Sequence, residues 1–165
     1  MRRFFSLFLT LLLSATPALA ADPPYLKLAQ ALGTPHLADS TSAADKSALL
    51  LHFVPLGQNG KVWKKMTTVS ILKVPQTDTE QATRGVILRL NDALKGRHVK
   101  IAAFDQSALP PATCYFEYTA DDEKGAGIVY SPDPGFITVA QISVKHDSSI
   151  ERADIGMLRA IIKPK

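Results

Sequence analysis

Between residues 112 and 145 the chain passes through three strand-like runs joined by connections of only a few residues. The run "ATCYFEYTA" alternates. Ala112, Cys114, Phe116 and Tyr118 fall on one face, Thr113, Tyr115, Glu117 and Thr119 on the other. A polar turn, "DDEKG", leads to "GIVY" at 127–130, and "SPDPG" leads to "FITVAQISVK" at 136–145. A parallel crossover needs about a dozen residues or more, so connections this short force antiparallel pairing. That one constraint selects an antiparallel sheet as the frame of the fold.

The remaining segments fit the same frame. "ALLLHFVPL", residues 48–56, reads as a buried strand with Pro55 at its end. Asn59-Gly60 follows as a hairpin signal, and "MTTVSILKV", residues 66–74, reads as the next strand. Residues 98–104 read as another short strand. Thr77 and Glu80 have the spacing of a capping box, and Ala82, Val86 or Ile87, Leu90, Ala93 and Leu94 follow at helical spacing, with Gly96 as a stop. Ser148 and Glu151 repeat the capping spacing ahead of Ile150, Ile155, Leu158 and Ile162, with Pro164 as a stop. The expected order is strand, strand, helix, four strands, helix. Two amphipathic helices need the sheet to cover their apolar faces. The expected architecture is therefore α+β: about six antiparallel strands with helices packed on them, in one domain spanning 48–165. Residues 21–47, rich in Ala, Pro, Ser, Thr and Asp, are expected to form a loosely ordered lead-in with a short helix around Tyr25 to Leu32, ending at Gly33.

The first twenty residues have the layout of a secretory signal. Arg2 and Arg3 precede an apolar run at 4–13, Pro17 follows, and Ala18-Leu19-Ala20 is a small-x-small cleavage site. The run falls short of the roughly 20 apolar residues of a membrane span. A periplasmic or secreted protein cut after Ala20 is the expectation, with no transmembrane anchor after cleavage. Loss of Arg2 and Arg3 lowers Lys+Arg from 19 to 17 against 15 acidic residues, a net charge of about +2. So mild a surplus gives no electrostatic case for nucleic acid. The single cysteine, Cys114, allows no internal disulfide, and its place on an apolar strand face makes a small buried residue the expected role over pairing with another chain.

The search for chemistry mostly excludes. The four histidines, His36, His52, His98 and His146, form no close pair, and there is no CxxC, so no metal site is expected. Phosphate-loop and GxSxG patterns are absent. "DDE" at 121–123 lacks the spacing and length of a calcium loop. No cofactor is expected. A small hydrolase built on His52, Glu117 or Cys114 is the enzymatic alternative, and it requires those side chains to converge in one cleft. Asp105 is a further candidate carboxylate, and its distance from Glu117 decides whether the two could act as a pair.

The one local cluster of basic and aromatic residues is Lys61, Trp63, Lys64 and Lys65. Two arrangements fit it. The cluster could contact an anionic sugar, a lipid headgroup or an acidic partner through charge and stacking. Alternatively, Trp63 anchors the loop on the core while the lysines are solvated, which the usual burial of tryptophan favours.

The run "FVPLGQNGKVWKKMTTVSIL" resembles a pattern of small secreted bacterial proteins: an aromatic-Val-Pro-x-Gly turn, a Trp a few residues on, then Met-Thr and a strand. The element order over 49–162 is similar to that of the PsbP/Mog1-like fold, an antiparallel sheet with helices on both faces. The resemblance implies an accessory or binding role more often than catalysis and supplies no catalytic residues. The leading expectation is thus an exported, non-catalytic module of the cell envelope that binds an envelope protein or a small ligand. A third possibility, a subunit of a surface assembly, predicts a long unpaired edge strand able to accept a partner's strand.

Overall fold

The computed structural model describes residues 24–95 and 99–162. The expected signal segment, His98 and the expected helix stops Gly96 and Pro164 lie outside the described residues. In chain order the elements are α1 (Pro24–Ala31), β1 (His36–Ser42), β2 (Ala48–Val54), β3 (Lys65–Lys73), a 3-10 turn (Gln76–Asp78), α2 (Thr79–Lys95), β4 (Lys100–Gln106), β5 (Cys114–Thr119), β6 (Glu123–Tyr130), β7 (Phe136–Lys145) and α3 (Arg152–Ile161). The strands form one sheet in the order β1-β2-β3-β7-β6-β5-β4, and every neighbouring pair is antiparallel.

The chain leaves the middle of the sheet at β3 and crosses to its far edge along α2. It then returns by the meander β4-β5-β6-β7 to pair with β3. With 17 residues, α2 is about 25 Å long. Four strand spacings of about 4.8 Å need roughly 19 Å, so one uninterrupted helix makes the crossing. Its buried stripe, Ile87, Leu90 and Leu94, packs on Cys114, Phe116, Tyr118, Val129 and Ile137. The opposite face carries the other two helices. Leu158 of α3 and Leu28 and Leu32 of the α1 segment cover Tyr115, Ile128, Ala140 and Ile142. Ala29 of α1 packs on Leu51, Phe53 and Val69.

The sheet has seven strands, not six. The additional strand is β1, whose sequence "HLADSTS" is mostly exposed and shows no apolar alternation. It joins the sheet by backbone pairing to β2, with a register shift between Leu37 and Asp39. The other edge, β4, has a similar shift between Ile101 and Ala103. Both edges are seven residues long and bulged, which is how sheets discourage strand addition. Neither is the long flat edge that a strand-exchanging assembly subunit needs.

Neither expected capping box forms. Thr77 Oγ1 donates instead to Asp78 (3.1 Å). Glu80 pairs with Arg84 at 2.7 Å and accepts the amide of Ala112 at 2.8 Å. It therefore holds the loop before β5 rather than the start of its own helix. Ser148 Oγ donates to Asp147, and the N-cap of α3, Glu151, makes no side-chain cap.

Gly125 and Gly127 of β6 are slots for aromatic rings. Phe116 is paired with Gly127 and Tyr118 with Gly125 across the β5–β6 ladder. A Cβ on Gly125 would lie 2.1 Å from Tyr118 Cε1, and one on Gly127 would lie 2.4 Å from Phe116 Cζ. The rings lie flat over the glycines, nearly parallel to each other at 19°. The phenol of Tyr118 thereby reaches β7. Its hydroxyl donates to Glu123 (2.6 Å), accepts from Gln141 Nε2 (2.7 Å) and lies 3.2 Å from Ser143 Oγ. All four side chains are buried, so a polar network crosses three strands under the sheet surface.

Candidate functional site

The connection between β2 and β3 occupies residues 55–64. The strands part after the Phe53–Thr67 pair, so Asn59-Gly60 does not close a two-residue hairpin. Asn59 is used inside the loop: its Oδ1 accepts the amides of Lys61 and Val62, both at 2.9 Å. Gln58 Oε1 accepts the amide of Lys64 at 2.7 Å. Gly57 takes φ +81°, which glycine adopts without strain. The amide of Lys145 on β7 donates to the carbonyl of Lys64 at 3.1 Å and ties the loop to the sheet. A loop held in this way has little freedom left to lose on binding.

The structure separates the four expected contact residues. Trp63 is half-buried, with Lys145 Nζ 4.1 Å from its ring centroid. Lys65 turns to the opposite face of the sheet and pairs with Asp154 of α3 at 2.9 Å, the two side chains being 22% and 6% exposed. It is part of the scaffold. Lys61 and Lys64 remain exposed. The same loop carries Leu56 and Val62, 78% and 73% exposed. The presented surface is therefore Lys61, Lys64, Leu56 and Val62, with Trp63 and Lys145 as its base. Lys145 was not legible as a member, because only the β3–β7 register brings the end of β7 to this loop.

Lys145 also links the loop to the buried network, since it stands opposite Glu123 in the β6–β7 ladder. Burial raises the pKa of Glu123. The Tyr118 hydrogen bond and the charge of Lys145 oppose that rise, and Asp122 adds to it. A carboxyl with a raised folded-state pKa adds stability below its unfolded value of 4.5, and that stability is lost as pH rises through the folded value. Glu123→Gln, which keeps an acceptor for Tyr118, should therefore raise Tm by a few degrees at pH 7 and leave it nearly unchanged at pH 4. Thermal melts across pH check this. A variant that is equally destabilised at both pH values would show that the charge of Glu123 is not the cause.

The other candidate groups do not meet. Cys114 is fully buried beneath α2. Burial, with a smaller contribution from the charge of Asp105, pushes its thiol up to about 12, so no thiolate is available near neutrality. His52 lies on the same face but on β2, four strand spacings away, roughly 19 Å. It sits 3.9 Å from Asp39 across the β1–β2 pair. Glu117 points to the opposite face, where Tyr115 donates to it and Arg159 of α3 lies 4.0 Å away. Asp105 meets the same guanidinium at 3.2 Å, and Arg159 stacks 3.8 Å over the ring of Tyr115. Two carboxylates thus do come together, but on a cation that pins α3 to the β4–β5 edge. Among the described residues, no group of three or more His, Cys, Asp or Glu side chains could hold a metal ion. Nor is any described helix long and apolar enough to cross a membrane.

Against this geometry, comparison of the chain with protein-family models finds no match, and neither does comparison with curated proteins.

Proposed function

We propose that this chain is an exported, non-catalytic module of the cell envelope that binds an acidic partner protein through the β2–β3 loop. The observation that carries the reading is the loop itself. Its backbone is fixed by amides that donate to Asn59 and Gln58 and by the amide of Lys145, yet it holds Leu56 and Val62 out in solvent on the same loop as the exposed Lys61 and Lys64. Exposed apolar side chains on a preorganised loop, flanked by cations, suit a partner surface with an apolar patch inside an acidic rim. The separation of His52, Cys114 and Glu117 over both faces of the sheet supports a binding role over a hydrolytic one.

The test is photocrosslinking in intact cells from a photoreactive residue placed at Val62, with the same residue at Leu88, on the exposed side of α2, as control. A discrete adduct from position 62 alone is expected, weakened about tenfold by Lys61→Glu combined with Lys64→Glu, since two charge reversals together are worth about 1.4 kcal/mol. Equal adducts from both positions, or indifference to the charge reversals, would count against the loop as the contact surface.

A further inference from the structure

We propose that Asn59 is a self-modification site: its side chain cyclises onto the backbone nitrogen of Gly60 and then hydrolyses to aspartate and isoaspartate, with no catalyst beyond the loop itself. The chain has two asparagines, Asn59 and Asn91, and the fold treats them differently. Asn59 is exposed in the β2–β3 loop, and the residue after it has no Cβ to crowd the attacking nitrogen. Among the described residues no acceptor holds the Gly60 amide, so its proton can pass to water. Asn59 Oδ1 accepts the amide of Lys61 at 2.9 Å. The ring that this hydrogen bond closes contains both reacting atoms, Asn59 Cγ and the Gly60 nitrogen, and holds them on one side of the chain. The amide of Val62 donates to the same oxygen at 2.9 Å. Two backbone donors at this distance are placed to stabilise the negative charge that Oδ1 gains when Cγ is attacked. The amide of Asn59 donates to the carbonyl of Val62 at 3.2 Å and closes the turn around them. Asn91 lies inside α2, where the amide of Asp92 is committed to the helix.

In the reaction the Gly60 nitrogen, after loss of its proton, bonds to Asn59 Cγ. The Cγ–Nδ2 bond then breaks, and Nδ2 leaves with a proton as ammonia. Water opens the resulting succinimide at either of its two carbonyls, which gives an aspartate or an isoaspartate link. No electron is gained or lost, and water is the only co-reactant. Either product puts a carboxylate on a loop whose exposed charged residues are Lys61 and Lys64. The isoaspartate link also lengthens the backbone by one methylene, which the turn from Asn59 to Val62 does not accommodate. The surface that the loop presents therefore changes with the age of the molecule.

The experiment is peptide mapping by mass spectrometry of the purified, folded protein held for days at mildly alkaline pH, with the released ammonia measured in parallel. Conversion at Asn59, ammonia in equal amount and an intact Asn91 are expected. The same chain unfolded in guanidinium chloride keeps the Asn-Gly link but lacks the two placed donors, and it should convert about tenfold more slowly. In Gly60→Ala the nearest neighbour of the new Cβ is the Ala38 Cβ at 3.9 Å, an ordinary contact, so the loop keeps its place. That variant should melt as the parent does and convert about tenfold more slowly in the folded state, because the attacking nitrogen is crowded. An Asn59 that stays intact, that converts no faster in the folded protein than in the unfolded chain, that converts no faster than Asn91, or that is indifferent to Gly60→Ala would overturn the proposal. None of these results depends on an adduct being captured at Val62.

Discussion

Replacing Lys65 by alanine is expected to destabilise the protein by about 3–5 kcal/mol, the loss that follows removal of one partner from a buried ion pair. The reason lies in what is left behind. Asp154 is 6% exposed and its carboxylate stands 2.9 Å from the Lys65 ammonium. Without that cation a charge remains under α3, beside the core that Leu158 helps to form. The loss should be asymmetric. Lys65 is 22% exposed, and a long side chain can turn its ammonium towards water. Asp154→Ala should therefore cost less than Lys65→Ala. Lys65→Met combined with Asp154→Leu should recover most of the stability, because it removes both charges and leaves neither partner buried alone. Urea denaturation at neutral pH measures all three. A Lys65→Ala loss below about 1 kcal/mol would place this pair with ordinary surface bridges. The same variants bear on function. If Lys65 is scaffold, any effect on crosslinking from Val62 should follow the unfolded fraction, whereas Lys61 and Lys64 should alter crosslinking in a protein of unchanged stability.

Lys65 also shows where the sequence could be read and where it could not. Apolar runs and helical patterns are local, and they led to the right elements wherever the side chains are buried in the core. "FITVAQISVK" is β7 over its full length, and the stripe Ile87, Leu90, Leu94 of α2 faces the sheet as its spacing requires. The pattern fails where a strand is held by backbone pairing alone, as in β1, whose side chains are mostly in water. It fails again where a residue has two available partners. Glu80 had a capping partner nearby in sequence, but the amide of Ala112 and the guanidinium of Arg84 hold it instead. The basic cluster divided for a related reason. Adjacent residues at the mouth of a strand point to opposite faces, so the register that sends Lys65 to Asp154 leaves Lys64 in solvent and brings Lys145 under Trp63. Nothing local to "KVWKK" distinguishes its lysines. Their neighbours come from β7 and α3, about eighty and ninety residues further along the chain.

Gly125→Ala and Gly127→Ala should each destabilise by about 3 kcal/mol, at the upper end of overpacking losses. Intrinsic preference argues the other way, since replacing a strand-interior glycine by alanine normally gains roughly 0.5–1 kcal/mol. The contacts decide the sign. At Gly125 the new Cβ meets Tyr118 Cε1, Cζ and Oη at 2.1, 2.3 and 2.5 Å. The ring cannot move aside cheaply, because its hydroxyl is shared among Glu123, Gln141 and Ser143. Displacing it would leave a buried carboxyl and a buried amide short of partners, at about 1–3 kcal/mol for each group. At Gly127 the Cβ meets Phe116 Cζ at 2.4 Å and the backbone carbonyl of Ala140 at 2.7 Å. Moving the ring relieves only the first contact. The two sites should therefore differ in a double-mutant cycle. In a Tyr118→Ala background the Gly125→Ala loss should largely vanish, a coupling of roughly 1–3 kcal/mol. In a Phe116→Ala background, itself costing about 3–5 kcal/mol, Gly127→Ala should still destabilise, because the Ala140 carbonyl stays in place. Chemical denaturation of the two cycles gives the four comparisons. If Gly125→Ala alone falls within about 0.5 kcal/mol of the parent, the ring is free to yield, and the Tyr118 network does not hold β5 and β7 together across β6.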